Sequence, residues 1–537
     1  MKRLFKSISA VIIFQSFLNT LNAQCPGGWV NQGGSANDYD RANITVNDNS
    51  GNVYVSGQYT DTAVFSSDTI ISSSYEDIFL AKYDANGNLT WIKSVGGYNI
   101  DFSSSLAIDN NNNIYMTGVN YGTAVFDTIT LNNFSGPNAF VAKFDSAGNV
   151  QWAMAIGSTD WDEGGGIAVQ NNNLYITGTF SLSVVMGSTT LTSLGQRDFY
   201  LAKLDLNGNY LWARSAGSIQ IDAGGSLAVD ALGNIFVTGI FYDDITIGTT
   251  TLINQGDFDM FLAKYDDAGN LLWAKSGGGN GDDFSSGLAL DSNSNIYVSL
   301  SGSTTCMFGT ITVSTYGDKD IMLAKYDSSG NVIWAQHAGG AMRDIGGKIV
   351  VADNNKIYQT GSFEGNVTFG TITLTLSGDD YIFLAEYDST GNVNFVKHAG
   401  GTRNDAGNGV SCYNSNVYVC GNFSNTTSFD LNTLTADTNG GNAFVWKACN
   451  AIVGIDEQFE LLNVTLYPNP FYDKLNIETS DNQSMEITLR DITSRKLLRQ
   501  EFTNSLAINL EQLSKGIYIF EVRNKNGLCK KGKVVKD

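Results

Sequence analysis

The chain has 537 residues, of which 42% are hydrophobic, 11% aromatic and only 16% charged, with 58 glycines and 4 prolines. That length exceeds one ordinary compact domain, and the wealth of Gly, Asn, Asp, Ser and Thr suits short strands joined by tight turns rather than long helices. A formal net charge of −21 repels phosphate backbones, so no nucleic-acid partner is expected.

Residues 1–23 read as a signal peptide: Lys2, Arg3 and Lys6 precede an apolar run from Ile8 to Leu18 and a small-residue exit at Ala23. Gln24 stands directly before Cys25, where lipidation would want a small residue. No later segment approaches the roughly 18 apolar residues that span a bilayer, so no transmembrane span is expected in the mature protein.

From there an aromatic recurs about every 61 residues, at Trp29, Trp91, Trp152, Trp212, Trp273, Trp334 and Phe395. A fixed period of this size marks repeats that bury their faces against their neighbours. Each repeat carries the same four alternating segments, clearest in "GSLAVD", "GNIFVTGIF", "MFLAKYD" and "GNLLWAKS" between residues 225 and 276, a period-2 strand signature. An insert such as "ITIGTTTLINQG" separates the second and third and predicts an extra hairpin or a twisted extension. The third and fourth are joined by DxxGN, beginning at Asp84, Asp145, Asp205, Asp266, Asp327 and Asp388. Asp bonds to backbone amides ahead of it and Gly supplies a positive φ, so this is a hairpin turn; it lacks the length and distal Glu of a calcium-binding loop.

Four-stranded meanders repeated radially make a β-propeller. The array opens with a lone fourth strand at Trp29 and ends with a lone third strand, "AFVWKAC", so the first strand is expected to complete the last blade. Residues 24–450 are thus read as a seven-bladed propeller with 17 basic against 41 acidic residues. Through "GxAVDxxGNIYVTG" and "DxFLAKYDxxGNxxW" the array resembles the SBBP family of bacterial seven-bladed propeller-repeat proteins. That resemblance implies the fold and no particular reaction.

All 6 cysteines follow the signal, in a compartment where disulfides persist. Cys25 with Cys449 would lock the ring at its seam, contributing on the order of 5 kcal/mol in the chain-entropy model. Cys412 and Cys420, on the two arms of "SCYNSNVYVC", are expected to bridge across their hairpin, with Cys306 and Cys529 left free.

His337 and His398 are the only histidines, and both fall three residues after the repeat aromatic, where other repeats place serine. They leave little material for a triad or a histidine metal centre. An acidic series is more regular: Asp38, Asp101, Asp162, Asp222, Asp283, Asp344 and Asp405 occupy the loop from each outer strand to the next inner one. Seven carboxylates at the channel mouth would hold a calcium ion or a cationic ligand, or supply a pair for glycoside hydrolysis. The alternative is that each Asp accepts backbone hydrogen bonds and fixes a blade junction, a role every repeat needs. No cofactor beyond such a calcium is expected. The repeat tryptophans are read as packing between blades rather than as sugar platforms. "DANGNLTW" is similar to the Asp-box of sialidase-type propellers, but its Gly and Trp spacing differs and sialidase activity does not carry over.

Residues 451–462 read as a linker, and 463–537 as a small Ig-like β-sandwich with strands at "KLNIET", "MEITLRD", "KLLRQEF" and "GIYIFEVRN". This tail resembles the C-terminal sorting domain of type IX secretion substrates through Tyr467, Pro468, Asn469 and Pro470, through Gly516 and Tyr518 in "LSKGIYIFEV", and through the basic end "KKGKVVKD". The resemblance implies the type IX secretion machinery as partner and delivery to the surface or surroundings of a Gram-negative bacterium. The whole is expected to be all-β and to act as a binding scaffold for a glycan, matrix or protein ligand rather than as an enzyme. An extracellular polysaccharide hydrolase and a passive surface-layer protein are the alternatives.

Overall fold

The computed structural model describes residues 28–35, 39–376, 378–400, 404–430, 432–436, 441–448, 464–479, 484–491, 495–524 and 529–537. The expected signal peptide, the linker, and Cys25 and Cys449 with their bridge lie outside these residues. Among those described there is no helix, and the chain divides into two compact units, Met1–Asn450 and Ala451–Asp537.

In the larger unit one antiparallel meander recurs. Asp222–Val229 pairs with Ile235–Phe241, that with Asp259–Tyr265, and that with Leu271–Gly279. The inserts form hairpins such as Ile245–Leu252, or continuous two-strand extensions within Val53–Tyr83 and Ile114–Phe144. Several inserts pair with the outer strand of the preceding repeat, as Cys306–Phe308 does with Gly277–Gly279, so they tie neighbouring repeats together.

First strands lie side by side: the Asn43 amide donates to Ser103 O of the next repeat, and Asn408 of the last donates to Ala42 O of the first. Trp29–Gly34 pairs with Gly441–Ala448, opposing Trp29 to Lys447 and Gly33 to Ala443. The first strand thereby becomes the outer strand of the final repeat. A bulge kinks each first strand, at Gly164/Gly166, Gly224/Ser226 and Ser285/Gly287 for example, where one extra residue bends the strand.

The repeat aromatic is a hinge pin between repeats. Trp29, Trp91, Trp152, Trp212, Trp273 and Trp334 each donate an indole N–H to a carbonyl in the DxxGN turn of the following repeat, at 3.1–3.3 Å. Turn glycines lie against the ring face: a Cβ on Gly269, whose φ is +77°, would stand 3.0 Å from Trp212. Within the turn, Asp205 accepts from the Asn207 and Asn209 amides. Bonds from the side chain and backbone of Asn209 hold its carboxyl below the ordinary range.

Cys412 and Cys420 are both free thiols, which corrects the expected bridge. The hairpin register sets Cys412 opposite Val417 and Cys420 opposite Gly409. The two therefore occupy different cross-strand positions, and their side chains enter different core clusters. Cys306 is also free, buried, and bonded through Sγ to Asp283 Oδ1 at 3.0 Å.

The smaller unit has two antiparallel sheets. Val464–Tyr467, Lys474–Thr479 and Ser505–Asn509 form one; Lys496–Phe502, Met485–Asp491, Gly516–Asn524 and Cys529–Lys536 form the other. Phe471, Leu475, Ile487, Leu489 and Val522 fill the core between them.

Candidate functional site

An antiparallel meander puts its first-to-second and third-to-fourth turns at one end and its remaining connections at the other. One face of the larger unit thus carries the uniform turns. The opposite face carries the loops from outer to inner strands and the approaches to each third strand.

On that second face the aspartate series is sealed into repeat junctions. Asp101, Asp162, Asp222, Asp283, Asp344 and Asp405 are all 0% exposed. Asp162 accepts from the Ser158 amide at 2.6 Å, on the preceding repeat, and from Ser181 at 2.8 Å, on its own second strand. Asp101 does the same with Gly97 and Tyr121, Asp283 with Gly279 and Ser303, and Asp344 with Gly340 and Glu364. Burial pushes the carboxyls of Asp101, Asp222 and Asp344 up to about 7, and those of Asp162 and Asp283 to about 6. Asp38 lies outside the described residues. Asp40 fills the equivalent slot in the first repeat, accepting from Ser35 and Thr60 amides at 2.5 and 2.8 Å. Among the described residues no three His, Cys, Asp or Glu side chains gather as a metal site would require.

A second buried series, which our reading of the sequence did not single out, opens the third strands: Asp77, Asn138, Asp198, Asp259, Asp320, Tyr381 and Asn442, none more than 9% exposed. The leading D of "DxFLAKYD" was the available signal. Asp77, Asp259 and Asn442 each share a glycine with a loop aspartate: a Cβ on Gly278 would stand 2.2 Å from Asp259 Oδ1 and 3.0 Å from Asp283 Oδ2. Asp77, Asp198, Asp259 and Asp320 each leave Oδ1 buried without a donor. Asn138, Tyr381 and Asn442 fill the same slot with neutral groups, so the slot accepts an uncharged side chain. His337 Nε2 lies 2.6 Å from Asp320 Oδ2, with the ring edge-on to Tyr316. His398 packs edge-on to Tyr381, and burial lowers its pKa.

What differs between repeats stands outside this shared frame. Tyr121 and Trp161 meet at right angles, with centroids 5.8 Å apart, and the Arg197 guanidinium covers Trp161 at 5.4 Å. The Trp161 indole donates to Glu163. Two repeats further on, Tyr242 meets Phe258 edge-on at 4.9 Å and Phe258 meets Phe284 at a tilt at 5.3 Å. Lys319 Nζ covers Phe284 at 4.7 Å and pairs with Asp282 at 3.2 Å. Tyr98, Tyr316 and Ile219 project from the same face at 79%, 74% and 68% exposure. A groove of about 710 Å³ runs beside the first cluster, lined by Ser158, Thr159, Leu182, Val185 and Ser193. Aromatic faces under cations bind planar or ring-shaped polar ligands. Pattern reading missed these residues because they do not repeat.

In the smaller unit Asn469 bonds both ways to the last strand, donating to Lys533 O at 3.2 Å and accepting from the Val535 amide at 2.8 Å. Tyr518 donates to Ser514 O, and Tyr467 to Glu478. Lys536 Nζ is buried against the Leu510 and Glu511 carbonyls. Gly516, at φ +153°, has open space where a Cβ would be. Asn469 thus anchors the final strand.

Residues 90–119 match the SBBP beta-propeller repeat, and residues 465–537 match the secretion system C-terminal sorting domain. The chain therefore carries a propeller repeat of the SBBP type and a sorting domain, which indicates export to the cell surface or medium. An uncharacterized WD repeat-containing protein of Acanthamoeba polyphaga mimivirus is 26% identical over 59% of this chain and 29% of its own length. A regulatory protein, FlaEY, of Caulobacter vibrioides is 30% identical over 29% of this chain and 17% of its own. The chain thus spans less than a third of either relative. Among solved structures, the WD40 beta-propeller domain of Doa1 aligns over 78% of this chain and 96% of that one, at 10% identity and a TM-score of 0.38. A gluconolactonase from Xanthomonas campestris aligns over 63% and 90%, at 11% identity and a TM-score of 0.29. No helix among the described residues is long and apolar enough to cross a membrane.

Proposed function

We propose that the mature protein is a seven-bladed propeller, exported by type IX secretion from a Gram-negative bacterium, that works as a binding scaffold through its variable loop face. Contacts from first strand to first strand and the pairing of Trp29–Gly34 with Gly441–Ala448 support the closed seven-blade reading. The observation that carries the binding role is the confinement of the aromatic and cation clusters around Trp161 and Phe284 to the face where the blades differ. A glycan ligand suits them best, since sugar rings pack on aromatic faces while the neighbouring Glu163, Arg197 and Asp282 bond to hydroxyls. A protein ligand with basic or aromatic projections is the second class.

The hydrolase reading relied on the loop aspartates as an exposed carboxylate pair. Their burial and the backbone amides they accept support the junction role instead. A glycan array with the purified propeller, beside a polysaccharide-release assay, tests the proposal. Saturable binding without release is expected, and Trp161→Ala and Phe284→Ala should abolish it; release with no stable binding would return the hydrolase.

A further inference from the structure

Independently of the loop face, one first strand carries a charge at a slot that is uncharged in the other repeats. At the bulge and the residue after it those strands carry Asn43 and Ile44, Ser104 and Ser105, Gly165 and Gly166, Gly225 and Ser226, Ser286 and Gly287, and Asn408 and Gly409, all uncharged. In the sixth repeat the pair is Gly347 and Lys348. Lys348 makes no hydrogen bond or ion pair with any described residue, and burial alone pushes its amine down to about 8. No carboxylate stands close enough to oppose that burial, in a propeller whose excess charge is strongly negative. Lys348 is half-buried, an ammonium partly withdrawn from water without a counter-charge is costly, and Gly or Ser serves the same slot in five other repeats, with Ile44 in the first.

Beside Lys348 lies a cavity of about 210 Å³, lined by Ser286, Gly346, Gly347, Ser362 and Asn408. Neither the Ser286 nor the Ser362 hydroxyl bonds to a described residue. The cavity is smaller than the roughly 300–1,000 Å³ typical of drug-sized ligands, so its occupant is small.

We propose that this cavity is a binding site for a small carboxylate, with the Lys348 ammonium as counter-charge and Ser286 and Ser362 as hydroxyl donors. A carboxylate matches one ammonium in charge and two hydroxyls in acceptor capacity. It can arrive as a free acid or as the uronate end of a glycan.

The test is calorimetric titration of the purified propeller with acetate and with galacturonate at constant ionic strength, against wild type, Lys348→Ser, Lys348→Arg and Trp161→Ala. Serine stands at this slot in the second and fourth repeats, so Lys348→Ser should fold. Wild type and Trp161→Ala should bind saturably, Lys348→Ser about tenfold or more weakly, and Lys348→Arg partly retain binding. Acetate and galacturonate binding alike identifies a free-acid site; galacturonate alone identifies a uronate site. The same ligands should slow acylation of Lys348 by an amine-reactive ester. No saturable binding of either, or equal binding by Lys348→Ser, overturns the proposal, and neither result bears on the loop face, which Trp161→Ala reports separately.

Discussion

The two faces of the larger unit are built from the same strands and obey different rules. On the turn face every DxxGN loop repeats the same hydrogen bonds, with the preceding tryptophan docked on its glycine, so the chemistry is spent on joining repeats. On the loop face the aspartates do the joining from within, leaving the outer side chains free to differ. Trp161, Arg197, Phe284 and Lys319 occupy that freedom. Residues kept in every repeat join the repeats to one another, and residues that change are the ones to which the proposed binding role is assigned.

Core substitution should break both faces together. Phe261→Ala removes a fully buried ring packed edge-on to Phe199 and is expected to cost about 3–5 kcal/mol, read as a lower urea midpoint. On the turn face Gly269→Ala sets a Cβ at φ +77° against Trp212. It should cost about 1–2 kcal/mol, without loss of ligand binding. A cost of that size for Trp161→Ala, which stands partly exposed on the loop face, would erase the distinction; we expect less than about 1 kcal/mol there, with binding lost.

The paired aspartates give the comparison a pH axis. The Asp222 carboxyl titrates at about 7 in the fold because of its burial, with Asp198 adding to the rise, against an ordinary 3.8. Between roughly pH 4 and 7 the folded chain keeps a proton that the unfolded chain has released. Its stabilising effect is complete below about 4 and lost as pH rises through 7. Asp198→Asn copies the amide that Asn138 places in this slot. It should raise stability at pH 8 by about 1 kcal/mol or more and change it little at pH 5, measured by urea unfolding at both. Equal destabilisation at both would show that Asp198 is needed ionised.

How much of this the sequence disclosed depended on repetition. The tryptophan period, the DxxGN turns and the pairing of the first strand with the last third strand were legible because each follows from spacing. In the first repeat one extra residue after Trp29 sets Asp40, two past the expected Asp38, in the slot that accepts from Ser35 and Thr60. Cys412 and Cys420 looked like partners because a hairpin joins them, but register decides which residues oppose. The aromatic clusters were invisible to a search for shared positions, since Tyr121 meets Trp161, and Phe258 meets Phe284, only through folding. Lys348 went unremarked in the sequence, since its lack of a partner is a property of three dimensions.

The most direct measurement is hydrogen exchange of the propeller with and without the glycan that binds best on the array. Protection should concentrate in the outer-to-inner loops around residues 158–163 and 280–284 and the third-strand approaches at 194–197 and 255–258, with the DxxGN turns unchanged. Protection centred on those turns, or spread equally over all repeats, would contradict the assignment of recognition to the face where the blades differ.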